Sequence, residues 1–262
     1  MGQSPSTPTP GTPFLVIGAG LPRTGTTSLT LALSTLLNGP IYHGGTQCTL
    51  GPELEILSWI KLLSHYPPTS PSSRLAVRKI LEQRLTGYAG VTDAPCAGLV
   101  EELLEIYPDA LVICTMRDVD KWEKSMSAIA SASTLSYLRL ILFLLPTMRY
   151  FPSYIDALRA QWVALYGRAE PATRHHWDAH TQYLKRVVPA KQLLFYDVRE
   201  GWGPLCEALG KEVPEEEFPR VNDSRAIEEL ARKMVLRGVG RWGILLGSVG
   251  VGVGAWLWMR GA

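Results

Sequence analysis

Cysteine is scarce in this chain. Four occur in 262 residues, at 48, 96, 114 and 206, and no two stand in CxxC spacing. That excludes a zinc site built on cysteine pairs and a dense disulfide framework. An excess of either charge is also missing. The 26 Lys and Arg offset 24 Asp and Glu, leaving a net charge of +2, so nothing electrostatic points to nucleic acid as a partner. Residues 1–13, MGQSPSTPTPGTP, carry no charged side chain and no apolar run. They do not read as a secretory leader but as a flexible arm. Gly2 and Ser6 fit the M-G-x-x-x-S pattern of N-myristoylation. What is present is apolar residue: 46% of the chain is hydrophobic, enough to bury a sizeable core at this length.

Charge is absent again from Trp242 to Met259, WGILLGSVGVGVGAWLWM. As a helix, this 18-residue run would span about 27 Å, near the thickness of a bilayer core. Trp242, Trp256 and Trp258 lie near its ends, where indole rings favour the membrane interface. Arg232, Lys233, Arg237 and Arg241 precede it, and Arg260 follows. That asymmetry predicts a single-pass C-terminal anchor over 242–259 with the body on the cytosolic side. Gly243/Gly247 and Gly250/Gly254 have the GxxxG spacing that lets helices approach in lipid, which admits a homodimer. The alternative is a glycine-rich helix packed on the protein's own core.

Between these ends, strand-like and helix-like segments alternate. Apolar runs at Phe14–Gly18, Ala110–Met116 and Gln192–Tyr196 suit buried parallel strands, and Gly90–Thr92 is a shorter candidate. Helical patterns cover Thr26–Leu37, Leu54–Leu63, Leu75–Leu85, Ala97–Ile106, the stretch after Arg117, and Gly203–Leu209. Such alternation predicts an α/β fold with a parallel sheet between helix layers over 14–225. The run Leu138–Leu145, LRLILFLL, is too short to cross a bilayer. It reads either as a buried helix or as an apolar flap facing a membrane or an acceptor.

The chemistry begins where the first strand feeds the turn Gly18-Ala-Gly-Leu-Pro-Arg-Thr-Gly-Thr-Thr-Ser28. A glycine-rich loop at a helix N-terminus cradles anions through backbone N–H groups and the helix dipole. The dinucleotide fingerprint GxGxxG fails here, because Arg23 takes the third glycine position and no acidic residue follows about 20 residues on. The nucleotide-triphosphate loop GxxxxGK[ST] fails too, because Thr26 takes the lysine position. The cation sits inside the loop, at Arg23. A second cation, Arg117, closes the strand Ala110–Met116, and Ser125 follows eight residues later. A guanidinium fork with a hydroxyl donor suits a phosphate monoester.

These motifs resemble those of the sulfotransferases. Pro22-Arg23-Thr24-Gly25-Thr26-Thr27 is similar to their 5′-phosphosulfate loop, and Arg117 with Ser125 to their 3′-phosphate motif. The likeness runs over about residues 14–220, and the stretch after Gly201 resembles a divergent sulfotransferase-like group whose VIGAG start mimics NAD-dependent epimerases. The resemblance implies a three-layer sheet of the P-loop NTPase-like kind. It implies 3′-phosphoadenosine-5′-phosphosulfate as co-substrate, no metal, and a small-molecule or protein hydroxyl as acceptor. Thr92-Asp93-Ala94-Pro95 stands where the cytosolic members carry Thr-His-x-Pro, which implies Asp93 as the base. The sequence also allows Asp93 to be a helix cap, and His43 is the rival base. Val91 replaces a lysine that those members hold near the sulfuryl group. In this reading Arg23 stabilises the charge on the transferring group. Two other readings stay open: a P-loop protein acting on phosphate, and a non-catalytic membrane-tethered scaffold with the same fold.

Overall fold

A computed structural model describes residues 4–170, 172–221 and 223–261. Five short strands form one parallel sheet: β1 (Val16–Gly18), β2 (Ile41–His43), β3 (Gly90–Thr92), β4 (Leu111–Met116) and β5 (Leu193–Asp197), in the order β2-β3-β1-β4-β5. β1 pairs with both β3 and β4, so the sheet grows in both directions from its first strand. Every residue of β1, β2 and β3 is buried, as expected of strands covered on both faces.

Alternate side chains serve two cores. Val16 and Ile113 face α1 (Thr26–Leu37) and α10 (Trp202–Leu209), with Leu29, Leu33, Trp202 and Leu205. Ile17 and Val112 face the opposite layer, built from α3 (Glu53–Leu63), α4 (Pro71–Leu85), α5 (Val100–Ile106), α8 (Phe151–Tyr166) and α9 (Arg174–Val187). The result is the three-layer α/β sandwich expected from the sequence.

Several boundaries moved for identifiable reasons. α4 starts at Pro71, four residues before the expected Leu75, because Ser70 and Ser73 form a reciprocal capping box and proline suits a first helical position. The expected helix Ala97–Ile106 divides into a 3-10 turn at Cys96–Gly98 and α5, since Gly98 lies against Gln161 and Leu165 of α8. α2 (Gly44–Leu50) had no apolar period to announce it.

The N-terminal arm meets the body at Ser6 and Thr9. Ser6 donates its hydroxyl to the Ile41 carbonyl at 2.7 Å, and its own carbonyl accepts from Gln47 at 2.6 Å and Tyr88 at 2.9 Å. Thr9 N–H reaches Gly87 at 2.8 Å. Gly2, the candidate acylation point, lies outside the described residues.

The chain ends in α11 (Asp223–Gly261), 39 residues long. From Arg225 to Arg260 it is long and apolar enough to cross a membrane, and its apolar window is not buried in the fold. The packed-helix alternative is therefore not what the fold adopts. α11 touches the body through α7 (Leu138–Leu142), where Met234 and Val235 pack on the cluster of Leu138, Leu142, Leu145 and Met148. The Leu138–Leu145 run is split: Leu138, Leu142 and Leu145 are buried, whereas Leu140 is 62% and Phe143 61% exposed.

Candidate active site

The site forms at the C-terminal ends of the strands. Gly18, Thr92 and His43 are in register across β1, β3 and β2, so the β1–α1 loop, Asp93 and His43 emerge side by side. This is where open parallel sheets hold ligands.

The loop Ala19–Gly25 is oriented from behind. His180 Nε2 donates to the Ala19 carbonyl at 2.7 Å, Trp122 Nε1 to Pro22 at 3.0 Å, and Arg117 Nη1 to Arg23 at 2.7 Å. A trans peptide sends the next N–H the opposite way, so the Gly20 and Arg23 N–H groups turn outward. Gly20 is needed as glycine: a Cβ there would overlap the Thr115 hydroxyl and stand 2.9 Å from its N–H. Gly25 has φ 97°, lies against Val198, and gives α1 no side-chain cap. The start of α1 is thus left without a side-chain cap, and no acid in its first turn offsets the helix dipole. These features fit a bound phosphate or sulfate.

Of the residues proposed from sequence to bind that anion, Thr24 has its hydroxyl engaged within the protein. Its hydroxyl donates to the Leu21 carbonyl at 2.6 Å and pairs with Thr115 Oγ1, and its N–H also returns to Leu21. It is 1% exposed and braces the loop rather than facing a ligand. Pro22 likewise spends its carbonyl on Trp122. Thr26 and Thr27 face His43, at 3.4 Å and 3.3 Å from its Nε2.

Arg23, Arg117 and Ser125 come together as the spacing suggested. Ser125 lies on α6 (Val119–Ser133), which starts just past Arg117. Arg23 Nε donates to Ser125 Oγ at 3.1 Å, while Arg117 holds the Arg23 carbonyl. The two anion subsites expected from the sequence thus lie within one arginine side chain of each other.

His43 and Asp93 also meet, with Nε2 3.7 Å from Asp93 Oδ2. His43 is the N-cap of α2: its Nδ1 accepts from Thr46 N–H at 3.2 Å. A ring nitrogen that accepts from a backbone N–H carries no proton, so in the neutral ring the proton is on Nε2. His43 is then a donor toward Asp93 and the two threonines, not a proton acceptor. Asp93 does not cap a helix. It is 9% exposed, its Oδ1 has no hydrogen-bond partner among the described residues, and its backbone has φ 71°, a region costly for a non-glycine residue. Gly45 makes room for it, since a Cβ there would stand 2.7 Å from Oδ2.

Beside Pro22 and Ala94 is a narrow, largely apolar cavity of about 70 Å³, walled by Met126, Ala130, Ile155 and Trp162. The Arg159–Glu170 ion pair, at 2.9 Å, stands on its rim.

Sequence reasoning missed the supports of the loop: Thr115, Trp122, His180 and Val198. None belongs to a motif, and His180 lies 161 residues from the carbonyl it holds. Burial lowers the His180 pKa to about 4. The neutral ring donates from Nε2 to the loop and accepts the Tyr166 hydroxyl at Nδ1, 2.9 Å away. The unfolded chain binds this proton below about pH 6.5 and the folded chain only near pH 4, so this contribution to stability is lost as pH falls through that window. The Glu102 carboxyl, raised to about 7 by burial, acts in the opposite sense as pH rises. His180→Gln should isolate the first effect. In denaturant titrations, the stability gap between parent and variant should shrink by roughly 3 kcal/mol from pH 7 to pH 4. A gap independent of pH would assign His180 no such role.

The parallel five-strand sheet between helix layers, with a glycine-containing loop from β1 into α1, is an α/β fold. The sulfotransferase domain family matches residues 15–227 of this chain, and the chain belongs to that family. A curated relative, "Ava biosynthesis cluster protein M" of Aspergillus versicolor, is 36% identical over 152 residues. The alignment covers 55% of this chain and 57% of that relative, so the chain spans little more than half of the relative's length.

Proposed function

We propose that this protein moves a sulfuryl group from 3′-phosphoadenosine-5′-phosphosulfate to a hydroxyl acceptor, from a body tethered to a membrane by α11. The observation that carries the reading is the meeting of Arg23, Arg117 and Ser125 at the uncapped start of α1, with His43 and Asp93 beside it. The outward N–H groups of the loop and the first turn of α1 would hold the 5′-phosphosulfate, with Arg117 and Ser125 on the 3′-phosphate. The absence of a loop lysine at Thr26 disfavours a triphosphate, whose β/γ charge needs it.

The donor supplies a sulfuryl group whose sulfur bonds to the acceptor oxygen as its bond to the 5′-phosphate oxygen breaks. Arg23 and the N–H groups neutralise charge gathering on the departing phosphate. Asp93 takes the acceptor proton, its Oδ1 being unspent. His43, its Nε2 3.7 Å from Oδ2, would orient the carboxylate. The relative's tie to a biosynthetic cluster supports a small-molecule acceptor. The basic residues before Trp242 favour a cytosolic body.

Calorimetry of the detergent-solubilised full chain tests the donor class. Adenosine 3′,5′-bisphosphate should bind at least about ten-fold more tightly than ATP or NAD, the equivalent of one charged hydrogen bond. Preference for ATP, with magnesium-dependent turnover, would move the protein to the phosphate-handling class.

A further inference from the structure

A second and larger cleft lies away from the transfer site. It has a volume of about 680 Å³, within the range of small-ligand sites. Its walls are the C-terminal end of α2 from Thr49 to Gly51, the turn Leu145–Met148 and the face of α11 from Met234 to Ile244. Leu50, Leu145, Met234 and Ile244 make it apolar, and Arg237 and Arg241, one helical turn apart, add positive charge.

The charge of this cleft is not neutralised from within. Arg237 has no ion-pair partner among the described residues, and Arg241 donates from one nitrogen to the Leu144 carbonyl. Glu53, on the neighbouring α3, is taken up by Arg149 and by Thr147 N–H at 3.1 Å. A cleft with an apolar floor and two cations fits a molecule with a tail and an anionic head.

Its position selects the source. α11 becomes charge-free at Trp242, one residue past Arg241. At that level Trp242 Nε1 donates to the Leu140 carbonyl at 2.7 Å and its ring stacks on Phe143. Gly238 lets the Ile141 carbonyl close in, where a Cβ would overlap it. α7 is thereby fixed to α11 at the depth where the helix enters hydrocarbon, and the exposed Leu140 and Phe143 share that depth.

We propose that this cleft binds one anionic phospholipid, with the phosphodiester head on Arg237 and Arg241 and the upper acyl chain along Leu50, Met234 and Ile244. This rests on the reading of α11 as a membrane helix, and two measurements separate the ideas. Native mass spectrometry of the full chain in non-ionic detergent reads the cleft, with phosphatidylglycerol and phosphatidylcholine of equal chain length as probes. One phosphatidylglycerol should stay bound per chain, with about ten-fold preference, as one charged hydrogen bond predicts. Arg237→Gln, at an exposed position that folding does not need, should remove most of the preference. Leu50→Glu should weaken retention of both lipids. Equal retention of the two lipids, or an unchanged preference in Arg237→Gln, would overturn the proposal. So would displacement by millimolar inorganic phosphate, which would mark a site for free anions. Flotation with pure phosphatidylcholine vesicles reads the helix alone. The full chain and Arg237→Gln should both float, and a chain ending at Trp242 should not. A full chain that fails to float yet keeps selective phosphatidylglycerol would overturn the anchor and leave the cleft standing.

Discussion

Asp93→Asn should lower turnover by roughly 10²–10⁴-fold while leaving donor binding nearly unchanged. Asparagine keeps the size of the side chain, so the 3.7 Å approach to His43 Nε2 is sterically preserved. What it loses is the ability to take a proton. A carboxylate is a weak base for an alcohol, which favours phenolic acceptors or proton transfer late in the transition state. The measurement is single-turnover transfer from radiolabelled donor to a panel of phenols, sterols and simple alcohols. His43→Ala should cost less, because His43 donates and orients. Full activity in Asp93→Asn with loss in His43→Ala would make His43 the base, and would require the Thr46 N–H to release Nδ1 first. Full activity in both would place the base elsewhere.

Arg117→Ala should erase most of the preference for adenosine 3′,5′-bisphosphate over AMP. A charged hydrogen bond contributes about 1.5–3 kcal/mol, or roughly ten- to a hundred-fold in affinity. Because Arg117 also holds the Arg23 carbonyl at 2.7 Å, the variant should weaken AMP as well, by loosening the loop. Ser125→Ala separates the two roles. It leaves the Arg117–Arg23 bond in place but releases Arg23 Nε, so it should reduce the bisphosphate's advantage with a smaller loss for AMP than Arg117→Ala causes. Calorimetry with both nucleotides checks this. Equal binding of AMP and bisphosphate by the unchanged protein would remove the 3′-phosphate assignment altogether.

The anion loop was legible because its constraints are local. A positive φ at Gly25, a close approach at Gly20 and a helix start at Thr26 each restrict a single residue type within eight positions. The Arg117–Ser125 pair was legible for the same reason, being a strand end and two turns of helix. What the sequence left open depended on contacts between distant segments. It offered Asp93 as base or cap and His43 as base or bystander. Only the capping bond to Thr46, which fixes the imidazole proton on Nε2, divides their roles. Thr24 looked like a ligand because it sits in the motif, yet Thr115, 91 residues away, takes its hydroxyl. The short strand β2 and α2 were faint for another reason. Their burial comes from α1, α3 and the N-terminal arm, not from a period of their own.

That arm has a mechanical consequence for the chemistry. Gln47, which grips the Ser6 carbonyl, lies on α2, the same helix whose first residues are capped by His43. Tyr88, the other donor to Ser6, stands two residues before β3, which ends next to Asp93. The arm therefore laces together, from outside the sheet, the two segments that carry the proton-handling pair. The spacing between imidazole and carboxylate is set in part by a stretch of Ser, Thr and Pro that shares no motif with either, and loss of that lacing would be felt as misalignment at the site while every residue of the site stayed in place.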